Sequence, residues 1–334
     1  MGSRAKVLFL SRHRSTTANE PSRERSKSGY GGSEPVVAFI DLMEAHEPHR
    51  DTLRYDRSRY AGTVPRGWSS QGLKAWDVVD DPAGHAGAIE RYRALYGASI
   101  EYLDRVVSGF IDRLLDATDR ETTVVLTVDH GENLALPADD GLFGHVTSLS
   151  EGVIHVPLVL INPPAGYPER IEGIFSHLDL RRRVAGLAHG ETPSVANRRG
   201  PAAAEVIGVT PSNDPLVERD PDRWDRLVRC VYENAAKHIW DSRGDYTEYE
   251  IDPERPCWQR RADVDADVSE TNADVNTDTD TNASPPAWAT DFFAVGAGEY
   301  RRSVAAPYDD RVENRRGGVL DPGVERRLEE LGYR

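Results

Sequence analysis

Three ends of predicted strands or loops in this sequence each carry a histidine close to a carboxylate or a flexible glycine. An aspartate next to a histidine offers a hard oxygen and an imidazole nitrogen to one cation, and a following glycine lets the chain turn sharply. The same pattern also fits a strand-end turn with a helix cap, so a metal site and a simple turn both stay open at this point. The three positions are Asp129-His130-Gly131-Glu132, Asp41 with His46, and Gly144-His145.

The hydrophobic pattern predicts elements that would bring these ends together. Short apolar runs at 36–40, 122–128 and 156–161 are typical of buried strands. Apolar residues recur every three or four positions over 89–114, which predicts one long amphipathic helix, and a second helix is expected over 177–188. The strand–helix–strand order predicts an α/β fold with a parallel-rich sheet flanked by helices. In such a sheet, ligands bind beyond the carboxyl ends of the strands.

The chain after residue 200 follows a different pattern. Runs at 227–232, 237–240 and 246–251 predict a small C-terminal antiparallel sheet with a hairpin turn at 242–245. Residues 262–286 are rich in Asp, Thr, Asn and Ser, and we expect a disordered linker rather than a calcium-binding repeat, because no glycine loop pattern recurs. The predicted organisation is an irregular lead at 1–34, an incomplete α/β core at 35–200, the small sheet at 201–261, an acidic disordered segment at 262–290, and a tail with a weak helix at 291–334.

The charge composition argues against nucleic-acid and membrane partners. The formal net charge is −15, and among 41 basic residues only Lys6, Lys27, Lys74 and Lys237 are lysines. An acidic, lysine-poor surface repels phosphate backbones and anionic lipids. It also suits concentrated salt, which screens the repulsion between like charges. We therefore expect a halophilic protein, with ordinary acidity as the alternative.

The apolar runs and the cysteines bear on the compartment. The run Val7–Leu10 is too short for the hydrophobic part of a secretory signal, and no apolar run is long enough to span a bilayer. Two cysteines, Cys230 and Cys257, do not make a disulfide framework. We expect a cytoplasmic protein whose stability comes from packing.

Four stretches occur in an order and spacing that resemble a known family. They are Phe39–Pro48, Tyr96–Asp104, the region from Thr123 through Asp129-His130-Gly131-Glu132 and Gly144-His145 to Val156-Pro157, and Ser176–Leu180. With the hairpin around Lys237 and Tyr249, they make roughly residues 35–255 similar to the sulfatases of the alkaline-phosphatase-like superfamily. The resemblance implies an alkaline-phosphatase-like α/β fold and the hydrolysis of a small sulfate ester.

The resemblance also implies roles for four residues. Asp129 and His130 match two ligands of the family's divalent cation. His46 matches a residue that contacts the sulfate ester, and His145 matches a Lys or His that stabilises the leaving group or sulfate oxygens. Ca²⁺ is favoured over Mg²⁺, but Ca²⁺ wants about six to eight oxygen ligands, so two protein groups predict weak binding.

The sequence departs from the family pattern at the nucleophile. A sulfatase has a first strand ending in paired aspartates and a Cys-x-Pro-x-Arg motif, or its serine form, whose cysteine becomes formylglycine. Here Cys257-Trp-Gln-Arg-Arg261 lacks the proline, and Asn19-Glu-Pro21-Ser22-Arg23 has Asn in place of Cys. We therefore expect a truncated sulfatase with weak or no activity as this chain alone. The alternatives are a non-catalytic module that binds a partner, such as the missing N-terminal half made as a separate chain, and a phosphoester hydrolase of the same superfamily.

Overall fold

The computed structural model describes most of the segment that carries the motifs. The described residues are 5–12, 36–145, 148–171, 173–189, 202–208, 221–252, 254–262 and 284–300, with only the backbone for 5–12 and 221–222. The lead predicted at 1–34 lies outside them except for residues 5–12, which form a strand. The helix predicted in the tail lies outside them entirely.

The first sheet contains four strands within the described residues, namely β1 (Ala5–Arg12), β2 (Val36–Leu42), β3 (Glu121–Val128) and β6 (Leu158–Ile161). Their order across the sheet is β2-β1-β3-β6. A two-stranded hairpin lies between β3 and β6 in the chain and is formed by β4 (Asn133–Leu134) and β5 (Phe143–Gly144).

Every pair of neighbouring strands in the four-stranded sheet is antiparallel. The prediction of a parallel-rich sheet is therefore wrong for the described strands. The physical reason is the position of β1. Strands β2 and β3 run in the same direction, as expected for strands joined through a helix, but β1 lies between them and runs against both, so that Val7 pairs with Ile40 on one side and Leu126 on the other.

Helices cover both faces of this sheet. The long helix α2 (Ala86–Ala117) packs against Val124, and α4 (Leu180–His189) packs its Leu187 against Val125. Because successive side chains of a strand point to opposite faces, these two adjacent valines bury both sides of β3. Both predicted helices are confirmed. Two short helices complete this part, α1 (Ala75–Asp80) and α3 (Glu151–Ile154).

The described part of the C-terminal sheet has five strands, β7 (Ala203–Val206), β8 (Val228–Glu233), β9 (Ala236–Asp241), β10 (Tyr246–Ile251) and β11 (Gln259–Arg261). They are antiparallel in the order β11-β10-β9-β8-β7, which confirms the small antiparallel sheet. The predicted turn joins β9 to β10, and one carboxylate oxygen of Asp241 accepts hydrogen bonds from the backbone N–H groups of Arg243, Gly244 and Asp245.

A short segment near the end of the described chain packs on this sheet. Residues Ala287–Thr290 form one helical turn, and Ala289 is fully buried in a cluster with Leu227 and Trp240. The acidic segment predicted as disordered over 262–290 therefore does not extend to these residues, because Trp288 and Ala289 supply apolar surface to bury. A further helical turn spans Pro221–Trp224. In the described part of the chain, no helix has the length and apolarity needed to cross a membrane.

Candidate functional site

Asp129 and His130 lie directly after β3, where the strand ends. The side chain of Asp129 is exposed, and one of its oxygens accepts a hydrogen bond from the backbone N–H of His130 at 3.1 Å. Nδ1 of His130 lies 2.9 Å from the carbonyl oxygen of Gly131, so it carries the proton and donates to that oxygen. This bond leaves Nε2 of His130 with its lone pair, which is the arrangement of a metal-binding imidazole.

The turn after His130 is held by the single-turn helix α3. The backbone N–H of Gly131 donates to the carbonyl of Val153 at 2.7 Å, and that of Glu132 donates to the carbonyl of Gly152 at 2.9 Å. A Cβ atom at residue 131 would lie 2.1 Å from the Gly152 oxygen. Only glycine therefore allows this close approach of two backbones.

The β4–β5 hairpin returns the chain to the same place. Buried Asp139 accepts hydrogen bonds from the backbone N–H groups of Leu134 and Leu136 at 2.8 and 3.0 Å. Arg93 of α2 donates to the carbonyls of Leu134 and Ala135 at 2.7 and 2.6 Å. These contacts fix the hairpin on α2, and they place His145 beside His130.

The rings of His130 and His145 have centroids 4.6 Å apart and an interplanar angle of 31°. Nδ1 of His145 lies 3.3 and 3.4 Å from the two carboxyl oxygens of Glu132. Burial, with the nearby charge of Glu47, raises the pKa of Glu132 to about 8, while burial lowers the pKa of His145 to about 4. Both side chains are therefore uncharged at neutral pH, and Glu132 orients His145 without charging it.

His46 lies in the loop after β2, where its Nδ1 pairs with the carbonyl oxygen of Glu47. Burial is the largest cause of both pKa shifts, but the charge of Glu47 also acts on both groups, adding to the rise at Glu132 and opposing the fall at His145, so this loop is within electrostatic reach of the pair. His49, three residues on, is 2% exposed and lies edge-on against the ring of Tyr92 on α2 at 4.7 Å. The structure thus brings Asp129, His130 and His145 together and places the loop of His46 nearby.

An apolar cleft of about 610 Å³ begins at Asp129 and runs between the sheet and α4. His177 lies at the same end, with its Nε2 3.1 Å from the hydroxyl of Thr127. Val37 and Phe39 on the edge strand β2 are 55% and 64% exposed along it. The volume is in the range of small-molecule sites. The lining residues contributed by α4 are Leu180, Arg181, Val184, Ala185 and Ala188.

Three parts of this arrangement have no signal in the sequence. The burial of Glu132 against His145 depends on the hairpin, which no local sequence pattern reveals. Glu47 and His49 are positioned by long-range packing. In the described ranges, no three His, Cys, Asp or Glu side chains converge to hold a metal ion. Asp129 and His130 are the adjacent pair that could hold one, through a carboxylate oxygen and Nε2.

Comparisons with known proteins agree with the motif reading. Residues 30–190 match the Sulfatase family model. An uncharacterized sulfatase of Escherichia coli strain K12, YidJ, is 24% identical over 176 residues, which cover 48% of this chain. The matched part is 33% of that relative, so the chain spans about a third of its length. No solved structure matches at a significant level. The sulfatase resemblance is confirmed over the matched segment.

Proposed function

We propose that this chain, which carries a Sulfatase domain over residues 30–190, binds a divalent cation and a sulfate ester beyond the end of β3. Asp129 and His130 would hold the cation, with Ca²⁺ favoured over Mg²⁺. His145 and His46 would contact the sulfate. The observation that carries this proposal is the meeting of His130 and His145, with ring centroids 4.6 Å apart, inside the segment that matches the family.

The geometry supports this assignment of roles. When bound, the cation would act as a Lewis acid on a sulfate oxygen. His145 is neutral and fixed by Glu132, so its free ring nitrogen is able to donate a hydrogen bond or accept one. Preoriented donors of this kind offset the negative charge that builds on the oxygens of a reacting sulfate.

Turnover by this chain alone is proposed to be weak or absent. Neither cysteine stands in a Cys-x-Pro-x-Arg sequence, and Cys230 is fully buried in the C-terminal sheet. Two protein groups also leave most positions of a Ca²⁺ ion to water and substrate, which predicts weak binding. Hydrolysis of a sulfuric ester is the chemistry of the family. On this proposal the chain keeps the residues that bind the cation and the sulfate ester, without the nucleophile.

The test is calorimetric titration with Ca²⁺, then with an aryl sulfate, of the wild-type chain and of Asp129→Asn. We expect the variant to bind Ca²⁺ at least about tenfold more weakly, since a charged ligand becomes a neutral one. Asp291→Asn, at an exposed residue of the C-terminal segment, is the control and should bind as the wild type does. Equal affinities for all three proteins would contradict the cation site.

An activity assay separates the remaining possibilities. An aryl sulfate and an aryl phosphodiester are incubated in parallel with Ca²⁺ or Mg²⁺. Little turnover of either is expected. Sulfate hydrolysis that disappears in Asp129→Asn would overturn the weak-activity part of the proposal. Hydrolysis of the phosphodiester in preference to the sulfate would favour the phosphoester alternative.

A second candidate, a non-catalytic module that binds a partner chain, is favoured by the cleft between β2 and α4. Val37 and Phe39, on the outermost described strand of the sheet, keep more than half of their surface exposed and would offer apolar surface to a partner. The proposed partner is a separate chain that carries the sulfatase nucleophile segment. Co-purification from native cells, lost in Phe39→Asp, would support it. A monodisperse monomer with no such partner would count against it.

A further inference from the structure

A buried ionic cluster joins the C-terminal sheet to α3. Nζ of Lys237 on β9 donates to Glu151 at 2.8 Å, to the carbonyl of Leu149 at 3.0 Å and to the side-chain oxygen of Gln259 at 2.6 Å. The hydroxyl of Tyr232 on β8 donates to the same oxygen of Glu151 at 2.5 Å. The side chain of Lys237 is 0% exposed and that of Glu151 is 3% exposed.

Glu151 lies at the start of the helical turn that holds the site. Its own backbone N–H donates to Gln259 at 3.0 Å, so both its side chain and its backbone are anchored to the C-terminal sheet. The next two residues, Gly152 and Val153, present the carbonyls that accept the backbone N–H groups of Glu132 and Gly131. An unbroken series of short contacts thus runs from Lys237 through α3 to the turn that carries His130.

The turn has little room to move relative to α3. Residue 131 must be glycine because of the Gly152 oxygen, and a Cβ at residue 152 would lie 2.9 Å from Asp139. A shift of α3 is therefore passed to the turn rather than absorbed between them. A second contact also ties the C-terminal sheet to the site, because the hydroxyl of Tyr249 on β10 donates a hydrogen bond to Asp140 in the β4–β5 hairpin.

We propose that Lys237 and Glu151 are positioning residues, through which the C-terminal sheet sets the geometry of the Asp129–Glu132 turn and hence of the His130–His145 pair. The proposal rests on the proposed function in taking this turn as the binding site. A buried charge pair suits the task, because its geometry is enforced by the cost of leaving either charge unpaired. An apolar contact, which is not directional, would allow α3 to shift along the C-terminal sheet at a smaller energetic cost.

The test measures the two histidine rings directly. Carbon-13-labelled histidine gives one Cε1–H resonance per ring in the NMR spectrum of the full chain, and substitutions at His130 and His145 assign them. Because the rings are 4.6 Å apart, each resonance responds to the current of the other ring. In Lys237→Met we expect both resonances to move, and Ca²⁺ affinity to fall at least about tenfold.

Arg229→Met is the matched control. Arg229 is a buried cation in the same sheet, 4% exposed and 2.7 Å from Glu205, and its contacts lead to Val295 and Phe293 rather than to α3. It should cost stability while leaving both histidine resonances and the Ca²⁺ affinity as in the wild type. Equal movement of the resonances in Arg229→Met and Lys237→Met would overturn the proposal, since the effect would then be general loosening.

Tyr232→Phe covers the case in which Lys237→Met does not fold. It removes the hydroxyl that donates to Glu151 and leaves both charges in place. A smaller shift of the same two resonances is expected, and unchanged resonances would overturn the proposal. Failure of the proposed function has a different outcome. A wild-type chain without Ca²⁺ affinity would refute the cation site, whereas the resonances would still show whether Lys237 positions the pair.

Discussion

The ring of His145 lies beside the ring of His130, with the centroids 4.6 Å apart, although the β4–β5 hairpin separates the two residues in the chain. The contact exists because two clamps hold the segment from Gly131 to Ala135, which contains the first strand of that hairpin. One is the α3 carbonyls on Gly131 and Glu132, and the other is Arg93 on Leu134 and Ala135. Neither clamp involves a side chain with a proposed chemical role. The hydrogen bonds that shape the site therefore end on backbone N–H and carbonyl groups.

The clamp on Gly131 predicts a large effect of one methyl group. In Gly131→Ala the Cβ would lie 2.1 Å from the Gly152 oxygen, so one of the backbones must move. We expect a loss of about 2 kcal/mol or more in the free energy of unfolding, measured by urea denaturation.

Gly97→Ala is the matched control for that change. Gly97 is exposed in α2 and has no atom within 4 Å of an added Cβ. Because alanine is the better helix former, this variant should gain about 1 kcal/mol. A loss of stability at Gly97 as large as that at Gly131 would show that the close approach is not the cause.

Much of the fold could be predicted from the sequence because its signals are local. The three- and four-residue spacing over 89–114 gave a helix observed at Ala86–Ala117, and the β-branched run gave β3 at Glu121–Val128. The direction of pairing could not be predicted. It depends on β1 lying between β2 and β3, and the run Val7–Leu10 carries no information on which strands it will join.

In the candidate site, too, the features that depend on adjacent residues could be predicted and those that depend on distant residues could not. The Asp129-His130 pair is adjacent in the sequence, so its type and spacing could be recognised there. The ionic cluster of Lys237 and Glu151 could not, because the two residues belong to distant parts of the chain and each resembles an ordinary surface charge in the sequence. Burial of a lysine at 0% exposure follows only from the tertiary structure.

The ionic cluster predicts coupled effects on stability. Lys237→Met leaves Glu151 buried without its cation, and a loss of about 3–5 kcal/mol in the free energy of unfolding is expected. The double variant Lys237→Met with Glu151→Leu should recover most of that loss, because no charge is then left unpaired. A double-mutant cycle measures the coupling energy between the two residues. If the stability loss of the double variant equals the sum of the losses of the two single variants, the predicted coupling is wrong.

The same cluster has a pH signature. Burial by itself would raise the pKa of Glu151, but the hydrogen bond from His155 and the charge of Lys237 outweigh it and lower the pKa to about 2. The stability that this group contributes is therefore complete above its ordinary pKa of 4.5 and is lost as the pH falls toward 2. Acid titration of Glu151→Gln should lack this component of the loss.

The two cysteines should react very differently with thiol reagents. Burial raises the pKa of the Cys230 thiol to about 12, and the side chain has no access to solvent, whereas Cys257 is exposed. A colorimetric thiol assay should count one reactive group in the native chain and two in guanidinium chloride. Cys257→Ser should leave none in the native chain. Rapid reaction of two thiols without denaturant would show that the C-terminal sheet opens readily.

His49 provides the last prediction, because it is a buried histidine held neutral. Burial, with the charge of His46 as a smaller cause, lowers its pKa to about 4. Among the residues that the structure describes, neither ring nitrogen of His49 has a hydrogen-bond partner. Between pH 6.5 and about pH 4, His49 is therefore mostly protonated in the unfolded chain and mostly neutral in the folded chain.

Keeping His49 neutral therefore does not reduce the free energy of unfolding above pH 6.5, and it reduces it progressively as the pH falls from 6.5 toward 4. At pH 5 the loss is about 2 kcal/mol, from 1.36 kcal/mol for each pKa unit. His49→Phe keeps a ring against Tyr92 and cannot be protonated, so its advantage over the wild type should grow by about that amount between pH 8 and pH 5. Urea denaturation at the two pH values measures it. An advantage that is the same at both would mean that His49 is not held neutral in the folded chain.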